Sequence, residues 1–232
     1  MNNERQELLI INQDSIQANI NQKNIDFPRI TLPPLFLSWQ SEARLAAFEL
    51  MHQKNAEAVR MMPAHLPVMV TYGVGNFPAN LTTRGIGLLP KEDKLTYYAE
   101  LLENAARVNT YDPWEVSFHN RVMAIRSFYE HPDHFEESLL GGLEIFEGQS
   151  FKNLTRDPRA SLLYTGQAPK FPSYQFNGLV EIIQEGNPYF RFLLAARELF
   201  ARDSFHIHQI HYPYGYLFYP VEARDKTPFP RR

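Results

Sequence analysis

Polar and apolar positions alternate between two periods along this chain. Residues 1–26 are dense in Asn and Gln and thin in apolar side chains, so they read as a polar, flexible arm ahead of a single domain over residues 27–232. Phe27-Pro28 and Leu32-Pro33-Pro34-Leu35 mark an extended approach, because a residue before proline avoids the helical region. Ser41 suits an N-cap, and Leu45, Phe48, Leu50, Met51 and Val59 continue a helix that stops near Pro63. The period then changes. Val68-Met69-Val70-Thr71-Tyr72 is a short β-branched run, Gly73 to Pro78 is turn chemistry, and Asn80 to Ile86 reads as the returning strand of a hairpin.

From Lys91 to about Leu140 the pattern is helical. Leu95, Tyr98, Leu101, Leu102 and Ala105 lie near the i, i+3, i+4, i+7 spacing, and a break at Asp112-Pro113 precedes a second helix around Phe118 to Tyr129. Beyond Gly141 the chain is mostly strand-like. Leu143 to Phe146 alternates, and Ala160 to Tyr164 follows a short helical turn. In the run Tyr174 to Ile183, Tyr174, Phe176, Val180 and Ile182 share one face. A helix from Tyr189 to about Ala201 intervenes before strands at His206–Ile210 and Tyr214–Tyr219.

Composition then excludes several kinds of chemistry. The 232 residues include 23 Lys plus Arg against 26 Asp plus Glu, a formal charge of −3, which leaves no electrostatic footprint for nucleic acid or an anionic membrane. With no cysteine, thiolate catalysis, Cys-ligated zinc, iron–sulfur clusters and disulfides are ruled out. The polar N-terminus and the absence of a long apolar run predict no signal peptide and no membrane span, hence a cytoplasmic protein. There is no dinucleotide fingerprint, no phosphate loop and no Gly-x-Ser-x-Gly elbow; Gly73-Val74-Gly75 lacks the third glycine and the helix.

Between Gly148 and Tyr164, Ser150, Lys152, Asn153-Leu154 and Asp157-Pro158-Arg159 occur in an order that resembles the FMN-binding split barrels of the pyridoxamine 5′-phosphate oxidase-like family. Asn177-Gly178-Leu179-Val180-Glu181 is similar to that family's next strand, and Asn187-Pro188 opens a helix as in many members. The Gly75 to Pro78 turn resembles its Gly-x-Pro turn, so the similarity spans about residues 66–90 and 139–222. The resemblance implies an α+β fold: a small antiparallel split β-barrel with an added helical layer, made of the N-terminal helix and a helical insertion over about 91–138. It further implies a homodimer with FMN at the interface and a flavin-dependent oxidation or reduction of a small organic molecule. Ser150, Lys152 and Asn153 would then hold the cofactor's phosphate and ribityl chain, with Arg84 of the returning strand beside Thr82 and Thr83 completing the clamp.

A second cluster keeps other readings open. On a strand, His206 and His208 project to one face, with His211 close by. Such spacing presents imidazoles to a zinc, iron or copper ion, a third ligand coming from His131 or His134, or offers axial ligands to haem. It also suits histidines that simply bond to backbone carbonyls on a half-buried face. The aromatic run Tyr212 to Tyr219 follows directly and reads as packing against the core.

Overall fold

The computed structural model describes residues 8–53, 64–108, 114–167, 170–200 and 209–229. Its first surprise lies at the N-terminus. Strands β1 (Leu9–Ile11), β2 (Ser15–Ile20) and β3 (Lys23–Pro28) form a three-stranded antiparallel sheet where the Asn/Gln content predicts a flexible arm. The reason is alternation: Ile16, Ala18 and Ile20 sit two apart on one face of β2, and all are buried in the common core. Asn21 and Gln22, both at positive φ, make the two-residue turn that places Ile20 opposite Lys23.

Helix α1 (Pro34–His52) begins at the second of two prolines, where a missing N–H costs nothing. Ser41 is therefore not its cap but a buried residue inside it, its hydroxyl donating to the Tyr129 carbonyl at 2.8 Å. The segment around Val59 lies outside the described residues. Next come β4 (Val68–Tyr72), β5 (Ala79–Thr83) and a four-residue strand β6 (Gly87–Pro90). Helices α2 (Glu92–Val108) and α3 (Trp114–Tyr129) form the expected insertion. Residues 135–140 depart from the helical reading, because β7 (Phe135–Leu143) is a strand. The short α4 (Gln149–Leu154) leads to β8 (Arg159–Thr165) and β9 (Ser173–Ile183). After them, α5 (Pro188–Glu198) is capped by the Asn187 side chain accepting from the Tyr189 N–H at 2.9 Å, and β10 (Gly215–Asp225) ends the fold.

The main sheet has the order β5-β4-β8-β9-β10-β7-β6, antiparallel throughout. Its two edge strands, β5 and β6, are consecutive in the chain and joined only by Arg84, Gly85 and Ile86. Seven strands laid flat would separate those edges by roughly 29 Å. The four residue steps from Thr83 to Gly87 reach at most about 14 Å. The sheet must therefore roll up, and the fold is α+β with an antiparallel sheet curled into an open barrel. Met69, Leu162 and Phe176 lie opposite one another on β4, β8 and β9, all at 0% exposure, as one row of the core. Phe36 of α1 packs edge-on against Phe176, Tyr164 and Tyr174, at ring separations of 4.7, 5.1 and 5.4 Å.

Tyrosines hold much of this core, and burial raises their pKa values. Tyr98 and Tyr189 are pushed up to about 12 by burial, and Tyr216 and Tyr219 go higher still, burial being joined by the carboxylates of Glu144 and Glu181. A folded pKa above the unfolded value means stability is complete below about pH 10 and falls as pH rises above it, by about 1.4 kcal/mol per pH unit for each such tyrosine. Cooperative unfolding between about pH 10 and 12 is the expected outcome. Tyrosinate absorbance and loss of the circular-dichroism signal should appear together; tyrosinate formed with the fold intact would contradict this.

Candidate functional site

Of the four residues expected to clamp a phosphate, the structure brings Ser150 and Asn153 together and turns both inward. Ser150, 1% exposed, accepts a hydrogen bond from the Asn80 amide at 3.0 Å, which ties α4 to β5. Asn153, 4% exposed, donates to the Thr71 hydroxyl of β4 at 3.1 Å and accepts from Gln149 at 2.7 Å. Their polar atoms fasten α4 to the hairpin. Lys152 points to solvent from the opposite face of that helical turn. Arg159 forms an ion pair with Asp157 at 2.6 Å and lies over the Tyr72 ring. The Asp-Pro-Arg run is therefore a turn whose charges pair with each other, and its Pro158 carbonyl accepts from the Val180 N–H of β9 at 2.8 Å.

Arg84 lies apart from them, on the bend between β5 and β6. Its Nη2 is 3.8 Å from the Glu144 carboxylate, and its Nε is buried without a hydrogen-bond partner among the described residues. Glu144 is fully buried: one oxygen accepts from the backbone N–H groups of Phe146 and Glu147 at 2.7 and 2.8 Å, and the other from the Tyr216 hydroxyl. Nothing in the sequence pattern around Leu143 to Phe146 marks this residue as a buried anion.

Of the histidines read as candidate ligands, His131 and His134 stack on each other at a ring separation of 5.1 Å. His206 and His208 lie outside the described residues, and His211 is exposed. His131 bonds to the Ser127 carbonyl and His134 to the Tyr98 hydroxyl, both at 2.7 Å. Among the described residues no group of three or more His, Asp or Glu is placed to hold a metal ion.

A different place has the character of a ligand site. Where the β6–β7 edge of the barrel meets α1, α3 and α5, a cavity of about 310 Å³ opens. Its walls are mostly apolar, including Phe48, Ile125 and Phe192, and glycines of β6 and β7 form its floor, with His65 over Gly85 and Gly87. Two arginines line it. Arg44 of α1 lies over the rings of Phe48 and Tyr129, 4.9 and 5.4 Å from their centres. Its Nε is buried with no hydrogen-bond partner among the described residues. Arg197 of α5 donates through Nε to the Tyr212 hydroxyl at 3.2 Å, and its Nη2 is likewise buried and unpartnered. No Asp or Glu is among the described residues lining the cavity. Burying cationic donors without acceptors is costly, which sets these two arginines apart from the other described residues of the lining. Arg44 and Arg197 were not legible as site residues, because nothing local in sequence tells a paired arginine from an unpaired one.

No family model matches this chain, and no curated protein matches it. Among solved structures it is similar to Group A Streptococcus HupZ, at 12% identity and a TM-score of 0.38, over 70% of this chain and 85% of that one. It is also similar to a Listeria innocua protein provisionally assigned as a pyridoxamine 5′-phosphate oxidase, at 11% identity and a TM-score of 0.39, over 80% and 97%. A third, an Agrobacterium tumefaciens protein of unknown function, shares 12% identity over 74% of this chain and 57% of its own, with a TM-score of 0.38. Likeness at this level carries no functional argument; the fold stands on its strand order. No helix among the described residues is long and apolar enough to cross a membrane.

Proposed function

We propose that this protein binds a small organic anion with an apolar, ring-bearing body in the cavity between the barrel and its helical layer. One observation carries the reading: two arginines line an otherwise apolar cavity whose described lining contains no carboxylate. An aromatic body would fill the apolar part beside Phe48, Tyr129 and Phe192, while a phosphate or carboxylate would accept from Arg44 or Arg197.

FMN is the first candidate, although the sequence resemblance implies it at Ser150, Lys152, Asn153 and Arg84 rather than in this cavity; when bound it would supply hydride and electron transfer, and the protein would supply binding and orientation. The cavity is near the lower end of the roughly 300–1,000 Å³ usual for ligand pockets, which favours one fused ring system over a tetrapyrrole. Haem is therefore the alternative. Titrating the purified protein with FMN, followed by flavin fluorescence, and with haem, followed by its Soret band, separates the two.

Two variants then locate the site. Arg44→Met is expected to weaken FMN binding about tenfold or more, a guanidinium–phosphate contact being worth roughly 1.5–3 kcal/mol, while Lys152→Ala leaves it unchanged. The reverse pattern would return the site to the turn at α4, with Lys152 and its neighbours Ser150 and Asn153 as the phosphate contacts. An affinity for neither cofactor, with other aromatic anions also unbound, would remove the reading.

A further inference from the structure

We propose that His52 and His119 form a metal-binding site between helices α1 and α3, a cis pair of imidazole nitrogens suited to copper(II) or nickel(II). The proposal is independent of the anion reading of the cavity.

The two helices pack antiparallel and are joined by successive contacts along their length. The Ser41 hydroxyl donates to the Tyr129 carbonyl, and Arg126 pairs with Glu49 at 3.1 Å. At the far end, where α1 stops, the Nδ1 atoms of His52 and His119 stand 2.9 Å apart. Their rings lie 4.4 Å apart between centres, tilted by 46°. Both side chains are exposed, and among the described residues neither ring has another hydrogen-bond partner.

As the contact stands, one Nδ1 carries a proton and the other accepts it. Moving that proton to the donor ring's own Nε2 gives both Nδ1 lone pairs to one ion and changes no charge on the protein. The ion stands off the line between the nitrogens, and exposed rings can turn to it without disturbing the core. The spacing selects the ion. Two nitrogens held at ~2.05 Å with a right angle between them are about 2.9 Å apart, whereas a tetrahedral angle needs about 3.3 Å. The right angle belongs to square-planar or tetragonal copper(II) and nickel(II), the tetrahedral one to zinc. Glu49, three residues before His52, is taken by Gln53 and Arg126, so it contributes negative charge nearby and no ligand. The described side chains therefore supply two nitrogens, and water fills the remaining positions.

Phe48 and Met51 of α1 and Ile125 and Tyr129 of α3 all line the cavity. An ion on His52 and His119 staples these two walls together, and an ion bound by the folded chain stabilises it.

The test uses the full-length chain without an affinity tag, titrated by calorimetry with copper(II), nickel(II) and zinc chlorides. Thermal midpoints are read with each ion and with a chelator. His52→Gln and His119→Gln are each expected to weaken copper(II) binding about tenfold or more and to remove the rise in midpoint that the ion gives the native chain. Electron paramagnetic resonance of the copper(II) form reads the ligands directly and stands even where a variant fails to fold; two imidazole nitrogens are expected. The double variant His206→Gln with His208→Gln removes the other closely spaced pair in the sequence and should leave both readouts unchanged. Copper(II) binding that survives in both single variants, or that is lost in the double one, overturns the site, as does a chain that binds none of the three ions. Zinc bound more tightly than nickel(II) overturns the right-angle geometry.

Discussion

Replacing Glu144 with alanine is expected to destabilise the protein by about 3–5 kcal/mol, the range for breaking a buried ion pair by removing one partner. The side chain is fully buried, and its carboxylate serves four groups at once: two backbone N–H groups of the following turn, the Tyr216 hydroxyl and Arg84. Alanine orphans all four. Arg84, whose side chain is 14% exposed and whose Nε already lacks a hydrogen-bond partner among the described residues, becomes a buried cation with no counter-charge. Against the roughly 5–15 kcal/mol that a domain of this kind possesses, the loss brings it close to unfolding at ambient temperature. Glu144→Gln keeps an oxygen for the two N–H groups and loses only the charge, so its cost should be smaller, about 1.5–3 kcal/mol. Urea denaturation with an unchanged m-value reads both. The ion-pair origin has its own check. Adding Arg84→Met to Glu144→Ala removes the stranded cation, so the double variant should be more stable than Glu144→Ala alone. A double variant that is less stable would make the effect one of packing.

Arg84 also shows where reading from sequence stops. On a returning strand beside two threonines, an arginine is a reasonable phosphate ligand, and the partner it finds lies 60 residues downstream at the end of β7. Elements with a local signal were legible. The β-branched run and turn of β4–β5, the one-face spacing of α2 and the Asn187-Pro188 start of α5 all stand where expected. Elements whose identity is set by distant pairing were not. Phe135, Leu139 and Leu140 mimic helical spacing, yet Leu140 pairs with Phe218 and Leu88 in a strand flanked on both sides. The four residues of β6 are all buried and contain a proline, too short a run to announce a strand. In the N-terminal sheet, alternation in β2 was masked by its Asn and Gln residues. The same limit applies to the cavity, since Arg44, His65 and Arg197 meet only after the sheet has rolled and three helices have packed on its edge.

The bend between β5 and β6 lies tight against β7, and Gly142→Ala should displace it. Gly142 lies on β7, opposite Tyr216 of β10. A Cβ there would stand 2.1 Å from the Gly85 carbonyl oxygen and 3.2 Å from Ile86. The obstacle at 2.1 Å is backbone, on the short bend that carries the chain from one edge of the sheet to the other. Moving that bend disturbs the Tyr164 hydroxyl's hydrogen bond to the Ile86 carbonyl, at 3.0 Å, and the adjacent Arg84–Glu144 pair. The expected cost is at or above the upper end of the roughly 1–3 kcal/mol typical of overpacking. Gly141, one residue earlier, supplies the internal comparison. Its Cβ would meet the Leu89 methyl groups at 2.8 and 2.9 Å, the ends of a side chain that can change rotamer. Gly141→Ala should therefore cost about 1 kcal/mol, well below its neighbour. Both glycines line the cavity, so the pair also reports on binding. If Gly142→Ala shifts the bend, aromatic-anion affinity falls with stability, whereas a Gly142→Ala variant as stable as Gly141→Ala would mean that the bend is not held against β7.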